Sequence, residues 1–269
     1  MRRDRQDAAG PSSPDLRAHL LATGLAGQVA TSPSSTLASC ARLVAGDPRT
    51  TLGLSDWRET TLRECVDAVR SLCGGDPGGA PDPLGPGTIE PESTLRGVRR
   101  HAEVLAAARA SGGIRVLLAT GHPTGLLGHY AALGRALQGS GSRLLMARDD
   151  TTVRTGDDGR RRDVRFVDGV ACISDGGSLR HTHRSIYMEA MLDDLDDEVD
   201  LVIADHGMAG AAIEARIPTL SIADVNDPAL PLAQVRGRTD GVLVIDDNLA
   251  PRHFVPITMA ILDGHAGPA

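Results

Sequence analysis

From Thr94 onward the chain alternates helical stretches with short apolar runs, and that alternation leaves very few folds open. TLRGVRRHAEVLAAARASGG carries apolar residues at helical spacing and leads into IRVLLAT, residues 114–120. GHPTGLLGHYAALGRALQ then reads as a turn and helix before RLLMAR, and the run DVRFVDGVACIS precedes a helix around SIYMEAMLDDL. DLVIAD, the short helix GMAGAAIEAR, PTLSIAD, a connection through DPALPLAQVR, GVLVID and a last helix from Pro251 to Leu262 complete the series. Strands covered on both faces are uniformly apolar, and parallel neighbours need helical crossovers. The expected fold class is therefore α/β: a Rossmann-like, doubly wound, mostly parallel sheet with an N-terminal helical cap.

The cap is read from the first 75 residues. Ser13-Pro14-Asp15 suits a helix start before LRAHLLATGLAG, and TLRECVDAVRSL repeats apolar residues from Leu62 through Val66, Val69 and Leu72. Residues 74–92, GGDPGGAPDPLGPGTIEPE, hold too much Gly and Pro for a helix or an inner strand, and read as a long surface loop near the site. The expected division is a helical region and loop over 1–93, packed on a catalytic domain over 94–269.

Ligands of doubly wound sheets sit beyond the carboxyl ends of the strands, so the residues just after each apolar run carry the information. Here they are polar four times over: Thr120-Gly121-His122-Pro123-Thr124-Gly125, then Asp205-His206-Gly207, then Asp224-Val225-Asn226-Asp227, then Asp246-Asp247-Asn248. Any one could be a helix cap, and capping or solvation is the plainer reading for Asp246 and Asp247 taken alone. All four at one sheet edge point to a shared site. TGHPTGLLGHY is the candidate anion loop, with Thr120, Gly121, Thr124 and Gly125 as phosphate contacts at a helix N-terminus. His122 could bind phosphate or metal, or protonate a leaving group, whereas His129, two helical turns on, reads as structural. In SLRHTHRS, His181 and His183 face one side if extended, and Arg180 and Arg184 could fork onto phosphate oxygens. Asp175, in SDGG, reads as a turn residue. Asp205, Asp224, Asn226 and Asp227 supply mainly hard oxygen, the donor set of Mg²⁺ or Mn²⁺, with His122, Asp205, His206 and Asp224 as the catalytic candidates. A metal-free version, with one Asp as general base and histidines as acids, stays open.

Composition removes several classes. The chain has no lysine, which excludes Schiff-base enzymes, pyridoxal phosphate enzymes and P-loop nucleotidases, all of which need that amine. A net charge of -7 argues against a nucleic-acid surface. No run approaches the ~18 apolar residues of a membrane span. The basic first residues lack the apolar stretch of a signal peptide. Cys40, Cys65, Cys73 and Cys172 have no metal-site spacing and read as buried apolar side chains, so the expected compartment is the cytoplasm. The acidic run from Asp193 to Asp200 reads as a solvated helix end. A homo-oligomer is left open.

Taken together, TGHPTGLL, HTH, DLVIADHGMAG, DVNDPAL and IDDN resemble an actinobacterial protein family labelled simply phosphatase, over most of the chain and in the family's order. The resemblance implies hydrolysis of a phosphate monoester of a small metabolite, such as a sugar or nucleoside phosphate in a biosynthetic pathway. It places Thr120, Gly121 and His122 in the first motif, His181 and His183 in the second, Asp205 and His206 in the third and Asp224, Asn226 and Asp227 in the fourth. Other phosphatase types fit worse: the haloacid-dehalogenase DxDx(T/V) is absent after the first strand, and Arg180-His181-Thr182 has Thr for the Gly of the histidine-phosphatase RHG and lies far into the chain, where that family carries its triplet at the start of the fold. The alternatives are a lyase or isomerase acting on a phosphorylated metabolite, and a protein that binds one without turnover.

Overall fold

The computed structural model describes residues 13–156 and 158–264. The basic leading segment discussed above lies outside the described residues. The chain opens with α1 (Ser13–Thr23), β1 (Gly27–Val29), α2 (Pro33–Val44), α3 (Pro48–Thr51), α4 (Leu62–Cys73), β2 (Gly87–Ile89) and α5 (Pro91–Ala110). It continues through β3 (Arg115–Ala119), α6 (Pro123–Gly139), β4 (Arg143–Leu144), β5 (Thr151–Thr155), β6 (Arg161–Val167), β7 (Val170–Ser174), β8 (Leu179–Arg180) and α7 (Ile186–Asp194). It ends with β9 (Leu201–Asp205), α8 (His206–Glu214), β10 (Thr219–Ala223), α9 (Ala229–Val235), β11 (Val242–Val244) and α10 (Val255–Asp263).

The fold is α/β around a mixed, mostly parallel sheet. Its order is β11-β10-β9-β3-β7-β6-β5, with β4 beside the start of β3 and β8 beside β7. Strands β4, β3, β9, β10 and β11 run parallel, and β7 is parallel to the end of β3. From β3 the chain passes through α6 to β4 on one side; β9, on the other side of β3, passes through α8 to β10. Crossovers of one hand moving in opposite directions put their helices on opposite faces. Accordingly α5, α6 and α10 pack together as one layer, and α7, α8 and α9 as the other. β9 and β10 are buried at every residue, as the uninterrupted apolar runs require.

Two readings are corrected. DVRFVDGVACIS is two strands, β6 and β7, turning at Asp168 and Gly169, whose φ values are 54° and 80°. Two left-handed residues make the tight turn that suits twisted strands, and Asp-Gly supplies both. DPALPLAQVR is not a bare connection but holds α9, whose Pro231 falls in the first turn, where no intrahelical N–H is needed. RLLMAR contributes only the two residues of β4, although Leu145 still donates to the Val116 carbonyl.

The N-terminal region is helical as expected. α4 starts from a capping box between Thr61 and Glu64 and buries Cys65, Ala68, Val69 and Cys73. The Gly- and Pro-rich segment supplies β2, which pairs with β1 in a separate two-stranded ribbon, and Asp246 N–H donates to Leu25 at the edge of the main sheet. One apolar cluster runs from Leu16 to Ile261, so the N-terminal elements share the core of the sheet. The acidic run is solvated as expected, its carboxylates exposed, and Asp194, Asp197 and Asp200 also pair with Arg148, Arg143 and Arg115.

Candidate functional site

The ends of β3 and β9 are joined by one carboxylate. Asp205, fully buried, accepts from Gly121 N–H at 2.7 Å and from the Thr120 hydroxyl at 3.1 Å, and that same hydroxyl accepts from His122 N–H at 2.9 Å. Burial raises the Asp205 pKa, against the opposing pull of His206 and the Gly121 N–H. The chain returning from β8 closes over this edge, Thr182 N–H donating to Gly121 at 2.9 Å, and so carries His181 and His183 onto it.

His206 is the centre of the site. It opens α8 with φ 47°, a left-handed conformation that a side chain of this size adopts rarely, and is 2% exposed. Nδ1 lies 3.5 Å from Asp205, and Nε2 lies 3.4 Å from Asp227 and 3.2 Å from Asp247. Burial works against its charge, but the Asp227 and Asp247 carboxylates prevail and lift its pKa well above the usual imidazole value. His122, whose Nδ1 is 3.5 Å from Asp247, is likewise raised: burial opposes the charge and Asp247 outweighs it. Asp247 is pushed the other way, its burial overcome by His122 and His206. His181 stacks on His122 with ring centroids 4.7 Å apart, and the His183 ring is 4.2 Å from that of His206. Burial and the other imidazoles push His181 down to about 4, and burial lowers His183 too. The site thus sets imidazoles of raised and of lowered pKa side by side.

The glycines do a different task from the one the anion-loop reading gave them. Gly121 N–H is engaged by Asp205, and a Cβ there would lie 2.2 Å from the Thr182 oxygen. A Cβ on Gly125 would lie 2.8 Å from the Asp247 oxygen, and one on Gly207 2.4 Å from the backbone of His183 and Arg184. These positions let four loops approach one another. Thr124 is exposed on the first turn of α6.

The remaining candidates separate. Asp227 joins the cluster through His206 and lies 3.8 Å from His183. Asp224 points to the N-terminal region, accepting from the Thr31 hydroxyl at 2.5 Å and from Val225 N–H at 2.7 Å, while Asn226 is half-buried in the same loop. Burial, then Asp247, raises the Asp224 pKa well above the carboxylate range. Arg180 lies 3.8 Å from Asp175, which caps its own turn through Gly177 and Ser178 N–H, as a turn residue should. Arg184 borders a cavity with His181 and His183. His129 bonds Thr258 at 2.7 Å inside the fold and is structural.

Asp247 is the residue that reading by strand ends undervalued: taken alone it resembles a cap, and only the convergence of α6, α8 and the last loop makes it the partner of two imidazoles. Ligand atoms of His181, His183 and His206, and separately of Asp205, His206 and Asp247, lie within 4.8 Å of one another. His122 Nδ1, His206 Nδ1 and Asp247 Oδ2 are buried without a hydrogen-bond partner, as donors arranged for a cation would be. Mixed imidazole and carboxylate donors fit Mn²⁺ or another first-row ion better than Mg²⁺, which favours an oxygen shell.

A profile of the protein family described as Phosphatase matches residues 11–267. The protein named Phosphatase SCO2771, from Streptomyces coelicolor (strain ATCC BAA-471 / A3(2) / M145), is 36% identical over 260 residues, covering 94% of this chain and 95% of the relative. The chain belongs to the Phosphatase family.

Proposed function

We propose that this protein hydrolyses a phosphate monoester of a small metabolite, with the reaction centred on His122, His181, His183 and His206 and on the carboxylates of Asp205, Asp227 and Asp247. The observation that carries the reading is the convergence of those imidazoles and carboxylates at one sheet edge, with two histidines raised and two lowered in pKa. A raised and a lowered group side by side are what proton donation and acceptance at one centre require. The strand order, reversing at β3, supports a Rossmann-like doubly wound core with the site at its switch point. The four cysteines are free thiols, which supports a reducing cytoplasmic setting; no helix among the described residues is long and apolar enough to cross a membrane.

His122, whose protonated form Asp247 favours, donates its proton to the ester oxygen as the P–O bond breaks, while a water oxygen forms the new bond to phosphorus and its proton passes to a phosphoryl oxygen of the product. Asp205 fixes the ends of β3 and β9 so that His122 and His206 keep their spacing. Asp227 orients His183 and His206 from behind. Asp224, bonded to Thr31, acts by holding the β10 loop against the N-terminal region. A divalent ion such as Mn²⁺ would be held by His181, His183 and His206, with His206 giving up its proton on binding, and would supply Lewis-acid stabilisation of the charge that develops on the phosphoryl oxygens.

The test is phosphate release from a panel of sugar, nucleoside, amino-alcohol and carboxylic-acid phosphates, after EDTA and with Mn²⁺, Mg²⁺ or Zn²⁺ restored. Release that EDTA abolishes and Mn²⁺ restores supports the metal-assisted reading, and release that survives EDTA moves it to imidazole acid–base chemistry alone. No release from any ester would overturn it in favour of a lyase, an isomerase or a binding protein.

A further inference from the structure

Tyr130 is fully buried in α6, and its hydroxyl has no hydrogen-bond partner. Buried hydroxyls are nearly always paired, because one taken out of water and left alone forfeits the hydrogen bonds it made in the unfolded chain. A core position that needs only bulk can take Phe, which has the same ring and no polar atom to satisfy. The hydroxyl therefore marks a polar neighbour, and α6 shows where that neighbour lies.

Leu126, Tyr130 and Gly134 follow one another at four-residue spacing and share one strip of the helix. That strip faces β3, because a Cβ on Gly134 would lie 2.7 Å from Leu118 Cδ1. Tyr130 stands one turn nearer the start of α6 and so nearer the carboxyl end of β3. Long helical side chains lean toward the N-terminus of their helix. The N-terminus of α6 lies at the sheet edge where Asp205 accepts from Thr120 and Gly121, and its Gly125 lies against the Asp247 backbone oxygen. The phenol is thus directed, from the helix side, at the layer that holds both carboxylates. Burial raises its pKa well above the usual phenol value and Asp205 and Asp247 raise it further, so the group stays a neutral O–H donor.

We propose that Tyr130 is a positioning residue of the site, its hydroxyl donating to a buried water that in turn donates to the carboxylates of Asp205 and Asp247. No acceptor lies within hydrogen-bond distance of the hydroxyl itself. A buried water makes about three hydrogen bonds, and one phenol donor with two carboxylate acceptors supplies that number. Asp205 ties the end of β3 to the end of β9, and Asp247 faces both His122 and His206. Holding the two carboxylates from the helix side fixes the imidazoles they face, without Tyr130 touching a substrate. The effect on turnover rests on the proposed phosphatase reading; the hydrogen bonds do not.

The test is Tyr130→Phe, which keeps the ring and removes the hydroxyl. Urea unfolding is expected to show the folding equilibrium constant reduced about tenfold, as for a lost hydrogen bond to charged groups. On the best ester of the panel, kcat is expected to fall severalfold with KM within about twofold, a split that a loss of packing alone would not produce. A hydroxyl without a partner gives the opposite sign in urea, so a variant as stable as the wild type, or more stable, would overturn the hydrogen bond. An unchanged kcat in the folded variant would overturn the positioning role. Should the variant not fold, a crystal structure of the wild-type protein decides: an ordered water within hydrogen-bond distance of Tyr130 Oη and of both carboxylates sustains the proposal, and a hydroxyl without one overturns it. The two readings fail separately. Hydrolysis of no ester removes the phosphatase while the unfolding shift still decides the hydrogen bond, and hydrolysis by a Phe variant with unchanged kcat and stability does the reverse.

Discussion

Replacing Gly207 by Ala tests whether the site depends on the close approach of two backbones. The added Cβ would stand 2.4 Å from the Arg184 carbonyl carbon and the His183 oxygen, and 2.6 Å from Ser185 N. Ordinary contact begins near 3.4 Å, so the His183–Ser185 segment must retreat by about 1 Å. All three atoms are backbone, and no side-chain rotation can absorb the shift. His183 would then move away from His206, whose ring is 4.2 Å distant. A displacement of about 1 Å at a catalytic group costs on the order of 10²-fold in rate, and the overpacking costs about 1 to 3 kcal/mol of stability. The assay is kcat/KM for phosphate release from the best ester of the panel, with a thermal melt on the same preparation. The expected result is a cooperative melt and kcat/KM reduced about 10²-fold. A folded variant with kcat/KM within about twofold of wild type would refute the claim that this approach positions His183 for catalysis.

Gly128→Ala is the control: a Cβ there meets nothing within 4 Å on α6, so the helix should gain about 0.8 to 1 kcal/mol in urea unfolding with kcat/KM unchanged. Asp247→Asn removes the carboxylate facing His122 and His206; imidazole NMR titration should show the His122 pKa falling, and the rate should drop about 10² to 10⁴-fold as the proton donor is lost. The third concerns stability in acid. Burial pushes His101 down to about 4, and burial with the neighbouring His101 pushes His129 down to about 3. Between pH ~6.5 and those values the unfolded chain binds protons that the folded chain does not, so stability falls as pH falls, by up to about 3 kcal/mol for His101 alone. His129→Gln should flatten the pH slope of urea unfolding between pH 7.5 and 5, and comparison with wild type cancels every other titrating group; an unchanged slope would show that His129 does not stay neutral in the fold.

The strands most visible in the sequence are those with the simplest environment. β3, β9 and β10 are buried along nearly their whole length, so a continuous apolar run identifies them without reference to neighbours. The polar residues that end them were visible for the same reason, and Asp205, His206, Asp227, His122, His181 and His183 do meet. The β5–β8 excursion was harder, because β5 and β6 are only partly buried and the turn between β6 and β7 lies inside what reads as one run. Asp168-Gly169 was the available signal. Asp224 and Asp247 could not be ranked from sequence at all. Both follow a strand and both are buried, yet Thr31 draws one toward the N-terminal region while His122 and His206 face the other. Thr31 and His122 lie more than 100 positions from the carboxylates they face, and no local pattern records them.

How this site would hold an anion follows from what its backbone is already doing. At the end of β3, Gly121 and His122 N–H are engaged by Asp205 and Thr120, Pro123 has no N–H, and Gly125 N–H bonds His122. A backbone cradle of the kind that serves phosphate at other helix N-termini is therefore largely closed here. Without lysine, recognition passes to imidazole and guanidinium side chains. The inner groups are near balance, since raised histidines face carboxylates, so they contribute little net attraction at long range. Guanidinium groups, those of Arg49 and Arg184 among them, lie outside that cluster beside His181 and His183. On the proposed function, the buried imidazole and carboxylate pairs, arranged before the anion arrives, are the groups that act on the ester bond.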